Sequence, residues 1–324
     1  MSPAASTTAT RIATALGVAA VGVAAWGSLV ERTRWTLRRV EVPVLPAGSA
    51  PVRVLHVSDL HMAPWQRSKQ EWVASLAGLR PDLVVNTGDN LGHERGIEGV
   101  RRAFEPFAGV PGVFVNGSND YFGPVPKNPF MYFGGPSRVG QRAKRLDIAG
   151  LHGVFRELGW IDLDNTAAAL DLRGTRFEFL GVDDPHKGYD RLDLITAAID
   201  DLRSDDPLGD ESWPDRGAGP ARPTVTVGVT HAPYRRVLNS FVNHGAQLVL
   251  AGHTHGGQVC LPGYGALVTN CDIPRQQAKG LSVWRHGLRA AYLNVSAGLG
   301  TSIYAPIRFA CPPEATLLTL TAAS

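Results

Sequence analysis

Cysteine is scarce in this chain: 324 residues hold three, Cys260, Cys271 and Cys311. They show no CxxC spacing and cannot all pair, which excludes a disulfide framework and argues against a thiolate zinc site. A Cys260 to Cys271 bridge and idle thiols both stay open. An excess of charge is also lacking, since 32 Lys and Arg against 29 Asp and Glu leave +3, so charge makes no general case for nucleic acid. Internal repeats and low-complexity tracts are absent, and the 36 glycines and 23 prolines are scattered, as suits a fold with many loops. What is there is length and apolar content, 324 residues at 44% hydrophobic, enough for a sizeable core in one large α/β domain or two small ones.

One long apolar run stands out. Residues 12–30, "IATALGVAAVGVAAWGSLV", carry no charge and have about the length a helix needs to cross a hydrocarbon core. Three readings compete for it: signal anchor, cleaved signal peptide and buried helix. No Ala-x-Ala site closes the run and it has no polar face, which favours a single-pass anchor in the cell membrane. Arg32, Arg34, Arg38 and Arg39 follow it and Arg11 alone precedes it, a bias that would leave the downstream domain in the cytoplasm. The segment "WTLRRVEVPV" reads equally as an opening strand with its arginines on the wet face. The chain therefore divides into a tail (1–11), an anchor (12–30), a juxtamembrane segment with an opening strand (31–51) and one domain (52–322).

Beyond Pro51, apolar strand-like runs alternate with helical patterns, an α/β layout. Strands are expected at 52–58, 82–88, 112–117, 176–182, 224–230, 247–252, 290–296 and 315–320. Trp72, Leu76 and Leu79, and again Leu192, Ile195, Ile199 and Leu202, recur at helical spacing. Residues 121–141 mix proline, glycine and aromatics after a strand end, the composition of a lid or substrate loop. Residues 204–223 are acidic and then Pro/Gly-rich, a surface insertion.

The polar residues collect where strands stop. "VLHVSDLH" ends with Asp59 and His61, "LVVNTGDN" with Asp89, and "VFVNGSND" with Asn119 and Asp120; "VTVGVTHAP" delivers His231 and "LVLAGHTHGG" delivers His253 and His255. Open α/β sheets place their sites at the carboxyl ends of strands. Taken singly, each such residue is more often a turn or cap residue. Together they supply about seven ligands, enough for two ions roughly 3.5–4 Å apart, with Asp89 as the natural bridge. The glycines around His253 and His255 would let the backbone turn both imidazoles toward one point. Mixed imidazole, carboxylate and amide donors suit Mn²⁺, Fe or Zn²⁺ without ranking them.

The ordered set resembles the signature of the calcineurin-like metallophosphoesterases, and 296–320 is similar to the tail of their membrane-associated bacterial branch. That resemblance implies a sandwich of two mixed sheets flanked by helices, and metal-dependent phosphoester or pyrophosphate hydrolysis by a metal-bridging hydroxide. By position it implies that Asp59, His61 and His255 hold one metal, that His231, His253 and an amide hold the second, and that Asp89 bridges them. The chain departs from the family at Gly117-Ser118-Asn119-Asp120, where Gly-Asn-His-Asp/Glu is usual. Aligned without a gap, Ser118 takes the ligand place; shifted by one, Asn119 is the ligand and Asp120 stands in for the leaving-group acid. The shifted reading is preferred because an amide oxygen is the better neutral ligand. Either way the imidazole acid is missing, which favours substrates with good leaving groups. The apolar segment points to a lipid-linked phosphodiester or pyrophosphate. Rival readings are a nuclease or cyclic-nucleotide phosphodiesterase, disfavoured by the near-neutral charge, and a non-catalytic metal-stabilised scaffold. His93, Asp183 and His186 are taken as loop residues near the site, while His152, His244 and His286 have no role.

Overall fold

The computed structural model describes residues 3–126, 143–204 and 224–323. Most of the loop expected at 121–141 and nearly all of the insertion expected at 204–223 lie outside the described residues. In chain order the first elements are α1 (Pro3–Ala25), β1 (Thr36–Leu45), β2 (Val52–Val57), α2 (Arg67–Ser75), β3 (Leu83–Asn86), α3 (Ile97–Phe104) and β4 (Gly112–Phe114). There follow α4 (Ser118–Tyr121), α5 (Ile148–Glu157), β5 (Ile161–Asp162), β6 (Thr166–Leu172), β7 (Thr175–Gly181), α6 (Leu192–Ser204) and β8 (Thr224–Thr230). The last are α7 (Arg235–Asn243), β9 (Leu248–Ala251), β10 (Cys260–Leu261), β11 (Gly265–Ala266), β12 (Gly280–His286), β13 (Arg289–Val295) and β14 (Glu314–Ala322).

Two mixed six-stranded sheets form, ordered β1-β14-β2-β3-β4-β5 and β12-β13-β9-β8-β7-β6. In the first, β2, β3, β4 and β5 run parallel while β14 is antiparallel to β2. In the second, β13, β9, β8 and β7 run parallel, with antiparallel β12 and β6 at the edges. The sheets pack face to face: Val54, Leu83, Val85 and Val113 from one meet Phe177, Phe179, Val227 and Leu250 from the other in a single core. Outer faces are covered as well. Leu55, Val57 and Val84 pack under α2, α3 and α5 through Val73, Phe104 and Phe155, and Val249 and Leu293 pack under α6 and α7 through Ile199 and Phe241. Strands buried on both faces read as continuous apolar runs, which is why "LVV" and "LVL" show no alternation. The architecture is the expected sandwich flanked by helices.

The stretch 36–45 is a strand, parallel to β14 over nine registered pairs beginning at Thr36↔Glu314. Before it, α1 runs on through a wider π-turn (Trp26–Val30) and a 3-10 turn (Glu31–Thr33). Residues 11–33 are the one helical stretch among those described long and apolar enough to cross a membrane. Ile12, Leu16, Val18, Val21 and Leu29 are all exposed on it. Its far end docks on the domain: Gly27 accepts from the Arg308 amide at 3.1 Å, and buried Glu31 accepts from the Cys311 amide at 2.6 Å and from Trp26 Nε1 at 3.0 Å. Cys260, Cys271 and Cys311 are free thiols; Cys260 and Cys311 share one small buried cluster, and Cys271 sits apart.

Candidate metal centre

Five strand ends meet at one edge of the sandwich. Asp59 and His61 follow β2, Asp89 follows β3 and Asn119 follows β4, all from the first sheet. His231 follows β8, and His253 and His255 follow β9, from the second. Parallel order within each sheet puts these carboxyl ends side by side. Glycines make part of the turns, Gly88, Gly256 and Gly257 taking φ of 87°, 63° and 84°. The acids and imidazoles themselves take left-handed backbone, with φ from 42° to 68° at Asp59, His61, Asp89, His253 and His255. A non-glycine residue there costs roughly 1–3 kcal/mol and persists only where its surroundings over-determine it. Amide-to-carbonyl bonds supply that determination, Asp59 to Gly88 at 2.8 Å, His61 to Asp89 at 2.9 Å and Gly300 to Asp59 at 2.7 Å. Other glycines supply closeness. A Cβ on Gly252 would strike Ser58 Oγ and lie 2.6 Å from Asp59 Oδ2, and one on Gly117 would strike Asp89 Oδ1 and lie 2.8 Å from His231 Cε1.

Donor atoms converge across the seam. One ligand atom from each of Asp59, His61, Asp89 and His255 fits within 4.8 Å of the others. His61 Nε2 and His255 Nε2 stand 3.2 Å apart, and His255 Nε2 lies 3.5 Å from Asp59 Oδ1. Asp89 faces both sheets at once: Oδ2 is 3.5 Å from His61 Nε2 and Oδ1 is 3.5 Å from His231 Nε2. His253 Nδ1 is 3.3 Å from His231 Nε2. Two ligands held about 2.0–2.1 Å from one tetrahedral ion sit about 3.3 Å apart, so these are the spacings of donors sharing a cation.

Backbone carbonyls orient the rings. Thr87 O accepts from His231 Nδ1 at 2.8 Å, turning the Nε2 lone pair inward. Gly300 O lies 3.2 Å from His255 Nδ1, and Asn270 O lies 3.1 Å from His253 Nε2. Arg308 Nη2 also approaches His255 Nδ1 at 3.3 Å, but the closer carbonyls of Ala297 at 2.7 Å and Gly300 at 2.8 Å take its two hydrogens. Carbonyl partners of this kind fix the tautomer of a metal-ligating imidazole. The chemistry of the donor set is what fits a cation: His61 with His255, and His231 with His253, bring ring nitrogens within 3.2 and 3.3 Å of one another, with Asp89 beside both pairs.

Burial sets the electrostatics. It pushes His61 down to about 4 against the pull of Asp89, and it holds His253 and His255 well below the ordinary imidazole range. It raises the Asp59 carboxyl to about 6, partly offset by His231. His231 is the exception. Burial would lower it, but Asp89, Asp59 and Asp184 together raise it to about 9. Asp89 is lowered because His231 and His61 outweigh its own burial.

At the departure from the family pattern, Asn119 occupies the bridge: its amide nitrogen and its Nδ2 donate to Asp89 Oδ1 and Oδ2 at 2.8 and 2.7 Å. Ser118 turns away and donates to Asp184. Asp120 carries a carboxyl that burial, and then Asp89, raise to about 7. Expected as a stand-in acid, it is fully buried and accepts from the amides of Asp89 at 2.9 Å, Asn90 at 2.7 Å, Leu91 at 3.3 Å and Gly117 at 2.9 Å. Those four bonds shape the loop that carries Asp89. His186 comes nearer than a loop default implied, its ring centroid 4.5 Å from His253 and its Nδ1 2.9 Å from Tyr234 Oη. His93 stays peripheral, edge-on to Trp65 at 5.1 Å, and Asp183 accepts from Tyr121 Oη. Two residues escaped the sequence reading. Arg308, fully buried, gathers the carbonyls of Ala297, Gly298, Gly300 and Cys311, and Lys69, also buried, donates to Leu60 O at 2.6 Å. The one sequence signal for Arg308 was a lone cation among the apolar residues of "IRFAC", and nothing local marks Lys69.

Residues 52–257 match the family model described as calcineurin-like phosphoesterase. The chain is 28% identical over 279 residues to the Bacillus subtilis protein YpbG, covering 84% of this chain and 82% of that one. It is 23% identical over 301 residues to the Bacillus subtilis metallophosphoesterase YkuE, covering 90% and 86%. A transmembrane protein with metallophosphoesterase domain from Danio rerio is 24% identical over 240 residues, 68% of this chain and 44% of that one. The family match takes in well over half the sequence and all the acids and imidazoles gathered at the seam, and the chain belongs to the calcineurin-like phosphoesterases.

Proposed function

We propose that the chain is a membrane-anchored dinuclear phosphohydrolase. Asp59, His61 and His255 hold one divalent cation, His231, His253 and Asn119 hold the other, and Asp89 bridges them. The observation that carries this reading is the two-sided placement of Asp89, one oxygen toward His61 and the other toward His231, each at 3.5 Å. Such an ion pair supplies Lewis acidity to phosphoryl oxygens and lowers the pKa of the attacking water. The protein's own residues do the rest. Asn119 restrains both Asp89 oxygens, Asp120 fixes the 89–91 backbone, and Ser58 Oγ at 2.6 Å orients Asp59. No protein nucleophile is required. With no imidazole at 118 or 119, proton donation to the departing oxygen is weak, which favours pyrophosphates or activated diesters over alkyl esters.

The anchor reading rests on the exposed apolar face of α1 and on the transmembrane relative. Leaving large apolar side chains in water forfeits about 1.5–3 kcal/mol each. It favours lipid-linked phosphoesters as substrates. Hydrolysis of bis-p-nitrophenyl phosphate by wild type and by Asp89→Asn tests the catalytic reading. Loss of the bridge should cost more than the roughly 10–100-fold typical of an outer-shell partner, whereas a non-catalytic scaffold gives equal background rates for both.

A further inference from the structure

A second cavity, of about 220 Å³, opens where the apolar helix meets the domain. Arg32 and Thr33, the last residues of the candidate span, form one wall. Trp35, Trp65, Arg67 and Lys69 form others, and Gly300 closes the side toward the metal centre. Its lining contains two arginines and a lysine and no acidic side chain. Arg67 is exposed and makes no hydrogen bond or ion pair with any described residue, while Lys69 is buried, held down to about 7 by that burial, with Nζ bonded to Leu60 O at 2.6 Å. The cavity is therefore an electropositive socket flanked by indoles.

Its height relative to a bilayer follows from the docking of α1. Gly27 and Glu31 are bonded to Arg308 and Cys311, and a Cβ on Gly27 would lie 2.6 Å from Arg308 O. The helix end is thus fixed to the domain and does not swing on a linker. Trp26 on that end and Trp65 in the cavity lining beside Arg32 and Thr33 are exposed at 43 and 60%, as aromatic side chains are at a headgroup layer. A cationic socket at that level meets lipid phosphates, since basic groups beside a membrane span are drawn to an anionic surface.

We propose that this cavity seats the phosphate-bearing headgroup of an anionic membrane lipid, docking the domain so that its metal centre lies close to the bilayer surface. The proposal rests on the reading of α1 as a membrane span. It assigns a lipid site distinct from the metal centre, with Gly300, which backs His255, and Lys69, whose Nζ lies 3.5 Å from His61 O, bordering both.

The test uses the full chain purified in a non-ionic detergent. Dioctanoyl phosphatidylglycerol, dioctanoyl phosphatidylcholine and inorganic phosphate are titrated separately while tryptophan fluorescence and the thermal midpoint are followed. The expected result is a saturable response to phosphatidylglycerol, weakened at least fivefold in Arg67→Ala and reduced in amplitude in Trp65→Phe. Hydrolysis of bis-p-nitrophenyl phosphate without lipid stays unchanged in Arg67→Ala. An equal response to phosphatidylcholine or to inorganic phosphate overturns the proposal, as does an Arg67→Ala titration that overlays wild type. Flotation with neutral phosphatidylcholine vesicles separates the two readings. Protein that floats but shows no headgroup preference overturns the lipid site alone, and protein that does not float overturns the membrane span and the site with it.

Discussion

Gly117→Ala probes the bridge without touching a ligand. The backbone there is extended, φ −117° and ψ 173°, so alanine meets no conformational strain. Its methyl would strike Asp89 Oδ1 and lie 2.7 Å from Asp89 N and 2.8 Å from His231 Cε1. Reaching an ordinary carbon contact of about 3.5 Å requires His231 to retreat from the methyl by roughly 0.7 Å, Asp89 N by roughly 0.8 Å and Asp89 Oδ1 by more. The Asp89 amide is tied to Asp120 at 2.9 Å and His231 to Thr87 at 2.8 Å, so neither yields freely. Overpacking of this kind costs about 1–3 kcal/mol, which, if borne by cation binding at about 1.4 kcal/mol per decade, weakens it roughly 5- to 150-fold. Metal content after dialysis against a fixed Mn²⁺ concentration, measured beside bis-p-nitrophenyl phosphate turnover, reads the effect. Gly153→Ala is the control: it sits in α5 with nothing within 4 Å of a Cβ and should gain about 0.5–1 kcal/mol of stability from the helix interior. Should the G117A protein keep full metal occupancy and full turnover, the tight Asp89–His231 geometry is wrong.

Arg308→Ala would strip the carbonyls of Ala297 and Gly300 of their donor and loosen the backing of His255, for an expected 10- to 100-fold loss of metal affinity, about what outer-shell partners are worth; equilibrium dialysis with Zn²⁺ checks it, and an unchanged Kd would show that Gly300 needs no help. Metal binding should release a proton, because His231 in the metal-free protein stays protonated up to about pH 9 and a cation on Nε2 must displace that proton. Affinity should therefore climb by up to about tenfold per pH unit from 7 toward 9, and calorimetry in buffers of different ionisation enthalpy should detect the proton; a flat affinity between pH 7 and 8.5 would count against His231 as a ligand. Leaving-group preference follows from the missing imidazole: p-nitrophenyl esters should be cleaved far faster than alkyl esters, and comparable rates would reveal an acid elsewhere.

Strands were legible where both faces are buried, because β8 and β9 spell out their own apolar runs, and so was the order of donors at their ends. Of the edge strands, β1 was foreseen as an opening strand, but β5, β6 and β12 were not. β12 pairs with β13 alone, and its Leu281 and Val283 alternate with Ser282 and Trp284 too briefly to stand out. β6 is alanine-rich, equally at home in a helix. Asp120 could not be assigned from spacing, since its partners are amides about thirty residues earlier that approach only after β3 and β4 pair. The left-handed ligands were hidden for a related reason: Asp and His tolerate positive φ, but the cross-loop bonds that hold them there belong to the assembled seam.

The most direct test is to count and place the ions. Crystals grown with Mn²⁺ and measured at its absorption edge should show two anomalous peaks, one within bonding distance of Asp59, His61 and His255, the other of His231 and His253, with an Asp89 oxygen on each. A single peak, or a pair that Asp89 does not join, would contradict the account.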